Sequence, residues 1–346
     1  MSIPARLRSF FGQNSWPALL LALLGLAACQ PQHPPADTAA APPVGHYQGS
    51  LGAVGGPQLR AALDIRHPSE GHYDAELTVP GAPALSFVAD TLLLAGNQLR
   101  LVRPARPGQT LMLTLDGDFW RGNLAVDSTS LPLILLKRGV PDPSSYRMAA
   151  VPQLGGAAWL FAPTDTDTPG AALALLPDAA TAPTAAIWAD ALARAGVTVL
   201  LVPPAADPAT AATETPRLVA ALRQLRATPG ADTASLGVWA SGSRATALAA
   251  AGPRLAFFIV QNAVVDATTR PAFRELRNRK LSVLGLYGGT DAVPRAAQLR
   301  AAVGGRRGNL VRSYRATGPN LLGGEGVHVQ FGPGLPGEVV EWVRNR

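Results

Sequence analysis

The amino-acid sequence predicts an α/β domain, a mostly parallel sheet with helices on both faces, preceded by a small antiparallel all-β sandwich or barrel. Three observations carry this expectation. Between His46 and about Arg138 apolar and polar residues alternate with period two. After Pro141 unalternated apolar runs of strand length alternate with helical segments. The stretch LGVWASGSRATALAAAG, residues 236–252, leads a buried strand through a tight Ser/Gly turn into an alanine-rich helix.

Ahead of both regions, Arg6 and Arg8 precede an apolar run from Ala18 to Ala28. A transmembrane helix needs roughly 20 apolar residues, so this run is too short to span a bilayer. It ends in Leu26-Ala27-Ala28-Cys29 and resembles a bacterial lipoprotein signal. Residues 1–28 are therefore expected to be removed, leaving Cys29, the only cysteine, to carry the lipid. A single cysteine excludes a disulfide within the chain and a cysteine-based metal site. Gln30 after the cysteine resembles outer-membrane sorting, so the expected location is the bacterial cell envelope, lipid-anchored in the outer membrane, with the membrane as a partner through Cys29. Residues 29–45, with Pro34-Pro35 and Pro42-Pro43, are too poor in large apolar side chains to order themselves and read as a tether.

The formal charge of the chain is +7, and removal of residues 1–28, which hold two arginines and no acids, leaves +5. Most of the excess is arginine, with local concentrations at Arg274, Arg277, Arg279 and Lys280 and again at Arg306, Arg307, Arg312 and Arg315. Solvated helix faces explain such clusters, and a tethered basic surface could rest on anionic lipid. Nucleic acid is not an expected partner in that compartment.

In the β region, residues 46–140, Ala61, Leu63 and Ile65 interleave with Arg60, Asp64 and Arg66. Ala75, Leu77 and Val79 interleave with Asp74, Glu76 and Thr78, and Leu111, Leu113 and Leu115 with Met112, Thr114 and Asp116. Gly96-Asn97, Pro107-Gly108 and Asp116-Gly117 supply turns at short intervals. His46, His67 and His72 lie near turns, where a solvated histidine is expected, and a ligand could occupy the interior of such a module.

In the second region, residues 150–346, the expected strands are 172–176, 197–202, 236–239, 257–260, 282–287 and 310–314. The expected helices are 184–195, 214–226, 244–251, 270–277, 293–302 and 337–344. Unalternated strands separated by helices imply a sheet buried on both faces. In such sheets chemistry collects at the carboxyl ends of the strands.

Three segments at those ends carry a resemblance. The turn within 236–252 resembles the Gly-x-Ser-x-Gly elbow of the α/β-hydrolase superfamily. Gly288-Gly289-Thr290-Asp291 resembles the superfamily's strand-end acid, and SYRATGPNLLGGEGVH, residues 313–328, stands where it carries its histidine. With the β module in front, the chain resembles two-domain bacterial serine hydrolases. The resemblance implies the order nucleophile, acid, histidine. In the superfamily's register, however, the serine falls on Gly242 and the histidine on Leu321, neither of which can do that chemistry.

A shift of one residue restores a candidate triad. With Ser243 at the apex, the positions two before and two after are Ser241 and Ala245, both small; with Gly242 at the apex the latter is Arg244, a poor steric fit. Ser243 would attack, His328, the only histidine beyond residue 150, would carry the proton, and Asp291 would orient the imidazole. The resemblance places an oxyanion donor near Asp178 and Ala179. There the chain reads Leu176-Pro177-Asp178, a residue without N–H followed by a carboxylate, which opposes a developing negative charge unless Asp178 points to solvent or caps the next segment. Ser241 is a candidate pocket-lining hydroxyl.

Two functions remain open at this level. One is a binding or scaffolding lipoprotein on a degenerate hydrolase fold. The other is a serine esterase or related acyl hydrolase using Ser243, Asp291 and His328. Both allow a small acyl or ester ligand. The sequence contains no His-Glu-x-x-His helix and no Gly-x-x-x-x-Gly-Lys loop, so no metal or nucleotide cofactor is implied. Oligomeric state is not legible.

Overall fold

A computed structural model describes residues 41–53, 56–89, 91–103, 106–139, 145–323 and 330–346. The expected signal peptide, Cys29, most of the tether and His328 lie outside the described residues. Residues 42–346 form one compact unit.

The first nine strands make a single antiparallel sheet in the order β4-β3-β2-β1-β9-β8-β7-β6-β5. They are β1 Gly45–Ala53, β2 Gly56–Ser69, β3 His72–Thr78, β4 Phe87–Val88, β5 Thr91–Ala95, β6 Gln98–Val102, β7 Gln109–Asp116, β8 Phe119–Val126 and β9 Thr129–Arg138. The sheet curls into a half-barrel, so of the two expected forms the facing-sheet sandwich is not the one adopted. Period-two alternation decides its inside: Tyr47, Leu51, Ala61, Leu63, Ile65, Leu111, Leu113 and Trp120 are all buried. These side chains fill the interior. The alternate residues of β1 to β3, among them His46, Arg60, Asp64 and Glu76, face outward, and His46↔Asp64 and Asp64↔Glu76 are cross-strand neighbours.

The second region is an eight-stranded mixed sheet in the order β10-β11-β13-β12-β14-β15-β16-β17. In chain order the elements are β10 Tyr146–Gln153, β11 Gly156–Pro163, β12 Gly170–Leu176, α1 Ala182–Arg194, β13 Thr198–Leu201, α2 Ala211–Arg226, β14 Ala231–Ser241, α3 Gly242–Ala251, β15 Phe257–Gln261, α4 Arg270–Asn278, β16 Ser282–Gly288, α5 Ala292–Val303 and β17 Leu310–Tyr314. Two short strands, β18 Leu322–Gly323 and β19 Gln330–Phe331, precede the last helix, α6 Gly337–Arg344. Strands β12 to β17 pair in parallel, whereas β11 runs antiparallel to both β10 and β13. The β10–β11 hairpin is an addition to the strands expected from sequence.

Both faces of this sheet are covered. Ala172, Ala174, Val238, Ala240, Phe258 and Val260 pack under α2 to α5, together with Leu222, Leu248, Phe273 and Leu299. Leu173, Leu175, Trp239, Phe257 and Ile259 point the other way, against Trp188 and Leu192 of α1 and Val339 and Trp342 of α6. Unbroken apolar runs are required because every strand residue faces one helical layer or the other.

Candidate functional site

The strand-to-helix turn after β14 has its left-handed residue at Gly242, with φ +52°. Ser243, expected at the apex, lies one residue on, exposed in the first turn of α3. The steric objection to Arg244 fails because that side chain has partners. It is 2% exposed, and its Nε and Nη2 donate to Glu214 Oε2 of α2 at 3.0 and 2.7 Å. Its Nη1 donates to the carbonyls of Pro177 and Val202, each at 2.9 Å. Burial pulls the Arg244 guanidinium below its ordinary pKa, and the hydrogen bonds to Glu214 oppose that shift. Glu214 also accepts from Arg217 Nη1 at 3.2 Å, and Arg217 Nε reaches the Leu154 carbonyl in the β10–β11 turn at 3.2 Å. One buried carboxylate thus anchors two guanidiniums that tie α2, α3 and three strand ends together.

Asp178 completes the surroundings of the turn. Its Oδ1 accepts from Thr181 N at 3.0 Å and Thr181 Oγ1 at 2.7 Å, fixing the loop that opens α1. Its Oδ2 lies only 2.0 Å from where a Cβ on Gly242 would stand. The carboxylate therefore occupies space that any side chain at position 242 would need. Asp178 is half-buried, whereas Ala179 is exposed.

The neighbouring strand ends are bound to the loop after β17. Gln261 Oε1, at the end of β15, accepts from Trp239 Nε1 at 2.7 Å and Ser241 Oγ at 3.1 Å, and its Nε2 donates to the Pro319 carbonyl at 2.9 Å. Ser241 is fully buried, so it is a structural hydroxyl and does not line a pocket. Asn262, with φ +48°, accepts from Gly288 N through Oδ1 at 3.0 Å and donates to the same Pro319 carbonyl. Trp188 Nε1 donates to the Asn320 carbonyl at 2.9 Å. Leu321 follows with φ +64°, fully buried in the core that holds Trp188 and Trp239.

Asp291 is exposed at the start of α5, and its side chain makes no capping hydrogen bond. One strand separates β14 from β16, so the two strands that lead to Ser243 and Asp291 run about 10 Å apart. No hydrogen bond joins them among the described residues. His328 lies outside the described residues.

The histidines of the β module differ from the expectation in one case. His46 is 6% exposed, its Nδ1 is 2.7 Å from Asp64 Oδ1, and its Nε2 is 2.7 Å from Gln48 Nε2. His67 is exposed and stacks on Tyr73 with ring centroids 4.4 Å apart, while exposed His72 pairs with Asp74 at 2.9 Å. The residues that sequence reasoning missed are Glu214, Gln261 and Asn262. The signal for Glu214 was Arg244 itself, an arginine within an apolar, alanine-rich helix start that demands a carboxylate somewhere in the fold.

No family model matches the chain, and no curated protein matches it in sequence. The chain has low similarity to several solved structures. TT1662 from Thermus thermophilus is 15% identical with a TM-score of 0.39, covering 58% of this chain and 99% of that one. A candidate dipeptidyl aminopeptidase IV from Bacteroides ovatus is 11% identical with a TM-score of 0.46, covering 87% of this chain and 50% of that one. Dipeptidyl peptidase 4 from Porphyromonas gingivalis is 13% identical with a TM-score of 0.44, covering 83% of this chain and 48% of that one. The chain spans about half the length of these two peptidases.

Proposed function

We propose that the second region is an α/β-hydrolase-type domain whose hydrolytic centre is degenerate and that the protein binds a small acyl or ester ligand without turning it over. The strand order supports the fold assignment: counted from β10 it reads 1-2-4-3-5-6-7-8, with the second strand antiparallel, and the sharp turn follows the fifth strand. The observation that carries the loss of activity is the pair Gly242 and Asp178. The residue with nucleophile-elbow geometry has no side chain, and a carboxylate lies 2.0 Å from where its Cβ would stand. A negative charge there opposes an oxyanion, for which active members place donors. Leu321, in the register of the family histidine, is a core residue.

A lipid on Cys29 and an outer-membrane location belong to the same proposal, supported by Leu26-Ala27-Ala28-Cys29 and the Pro-rich segment after it. Labelled palmitate incorporated into the expressed chain and lost in Cys29→Ser tests that part.

The activity part is tested by exposing the folded full chain to a fluorophosphonate probe beside a Ser243→Ala control. No labelling is expected. Labelling abolished by Ser243→Ala would overturn degeneracy and assign the nucleophile to Ser243, and its loss in Asp291→Asn and His328→Ala would be needed to assign those two as its partners.

A further inference from the structure

A cleft of about 1020 Å³ opens where the outer face of β1 to β3 meets the β10–β11 hairpin and the end of α1. It is remote in sequence from the turn at Gly242 and uses none of the strand ends described above. We propose that this cleft is a binding site for a small organic monocarboxylate with an apolar body.

The charge at one end of the cleft supplies the recognition. Asp190 of α1 is held by Arg60 Nη2 of β2 at 2.7 Å and by Arg194 Nη2 at 2.8 Å, and it also accepts from the hydroxyl of Tyr146. Two guanidiniums over one carboxylate leave one positive charge uncancelled. Arg60 commits only Nη2 to this contact and Arg194 only Nε and Nη2, so each guanidinium keeps nitrogens without a hydrogen-bond partner among the described residues. Both side chains are about half exposed, at 49% and 48%, and both line the cleft, whereas Asp190 is 13% exposed behind them. A planar carboxylate matches the fork that a guanidinium presents, which a point charge does not require.

The remaining walls set the rest of the ligand. Met148 and Trp159 from the hairpin, half-buried, line the same cleft as the two arginines, and the Tyr146 hydroxyl lies 3.5 Å from Arg60 Nη2. An aromatic or branched body stacked there gains burial without placing polar atoms against it. At the other end Arg66 pairs with Glu76 at 3.2 Å and cancels, while Asp64 stands against His46 at 2.7 Å. A second anionic group would meet Asp64, so a monoanion fits and a dianion does not. The site is made of residues that no single segment supplies: Arg60 and Asp190 are 130 positions apart in the chain.

Phenylacetate and its uncharged isostere phenylacetamide test this by ligand-observed saturation-transfer titration on the full chain. Saturable binding of phenylacetate is expected, with phenylacetamide weaker by about tenfold, since the amide keeps one carbonyl acceptor but loses the charge and the second oxygen that the guanidinium fork pairs with. Arg60→Ala and Arg194→Ala, checked for native circular dichroism, should each weaken phenylacetate by about tenfold and leave phenylacetamide unchanged. The acid-to-amide comparison needs no variant, so a folding defect in either substitution leaves the test intact. Absence of phenylacetate binding, or equal binding of acid and amide, would overturn the proposal. Fluorophosphonate labelling of Ser243 would leave it standing, because the two sites share no residue.

Discussion

The carboxylate of Asp178 lies against Gly242, with Oδ2 2.0 Å and Cγ 3.0 Å from the point a Cβ would take. Gly242→Ser must therefore displace Asp178 and also hold a side-chain-bearing residue at φ +52°. The expected cost is about 2 to 4 kcal/mol in urea denaturation. In an Asp178→Gly background the clash is gone and the same substitution should cost only the left-handed backbone, about 1 to 2 kcal/mol. Equal costs in the two backgrounds would show that the contact does not exist in solution.

Glu214 holds both Arg244 and Arg217 in a buried setting, so the three substitutions are not equivalent. Glu214→Gln leaves two guanidiniums without a counter-charge and should cost about 3 to 5 kcal/mol. Arg244→Met leaves Glu214 paired with Arg217 and removes one buried charge, so its cost should be smaller, roughly 1 to 3 kcal/mol from the unpaired Pro177 and Val202 carbonyls. Thermal unfolding of the two variants gives the ranking. Arg244→Met as the more damaging change would contradict this account.

How much of this could be read beforehand depended on how local the cause was. Alternation in Ala61, Leu63 and Ile65 and the unbroken run Phe257 to Val260 report burial through the strand's own period, and the half-barrel and the covered sheet followed from it. The β10–β11 hairpin escaped because it is an edge with a mostly half-exposed face and a proline at 152, so its residues show neither pattern. The turn has its left-handed residue at Gly242, one before the apex that side-chain size alone favours, for a different reason. Steric rules favoured Ser243 while Arg244 looked misplaced, but Arg244 is tolerated only through Glu214, 30 residues earlier in the chain. His46 likewise read as a turn residue because Asp64, its partner across the β1–β2 ladder, is distant in sequence.

Gln261 is the hinge between the sheet and the loop after β17, since its amide serves Trp239, Ser241 and the Pro319 carbonyl together. Gln261→Leu keeps the volume and strands two donors, Trp239 Nε1 and Ser241 Oγ, in the interior, while the Pro319 carbonyl keeps only its bond from Asn262. A loss of about 2 to 4 kcal/mol is expected. The effect should be focused on the loop: the amides of Leu321 and Gly332, which bond to Gly318 and Leu321 carbonyls, should exchange faster than those of β12. Uniform acceleration across the sheet would mean that Gln261 supports the core and not the loop.

Alkaline conditions should unfold the protein in a single step because four tyrosines resist ionisation. Burial raises Tyr47, Tyr146, Tyr287 and Tyr314 above the ordinary value of about 10, and the nearby carboxylates of Asp190 and Glu338 add to it for Tyr146 and Tyr314. The folded state then holds these protons more tightly than the unfolded chain. Their contribution is complete below pH about 10 and is lost as pH rises toward the folded-state values. For Tyr287 alone the slope approaches about 1.4 kcal/mol per pH unit in that window. The Tyr287 hydroxyl has no hydrogen-bond partner among the described residues, so Tyr287→Phe discards nothing that the fold uses. That variant should match or exceed the parent in stability at neutral pH and unfold at a higher pH. Phenolate absorbance from these tyrosines should rise together with loss of circular dichroism. A gradual rise at constant circular dichroism, or an unchanged alkaline midpoint in Tyr287→Phe, would show that burial does not hold these protons.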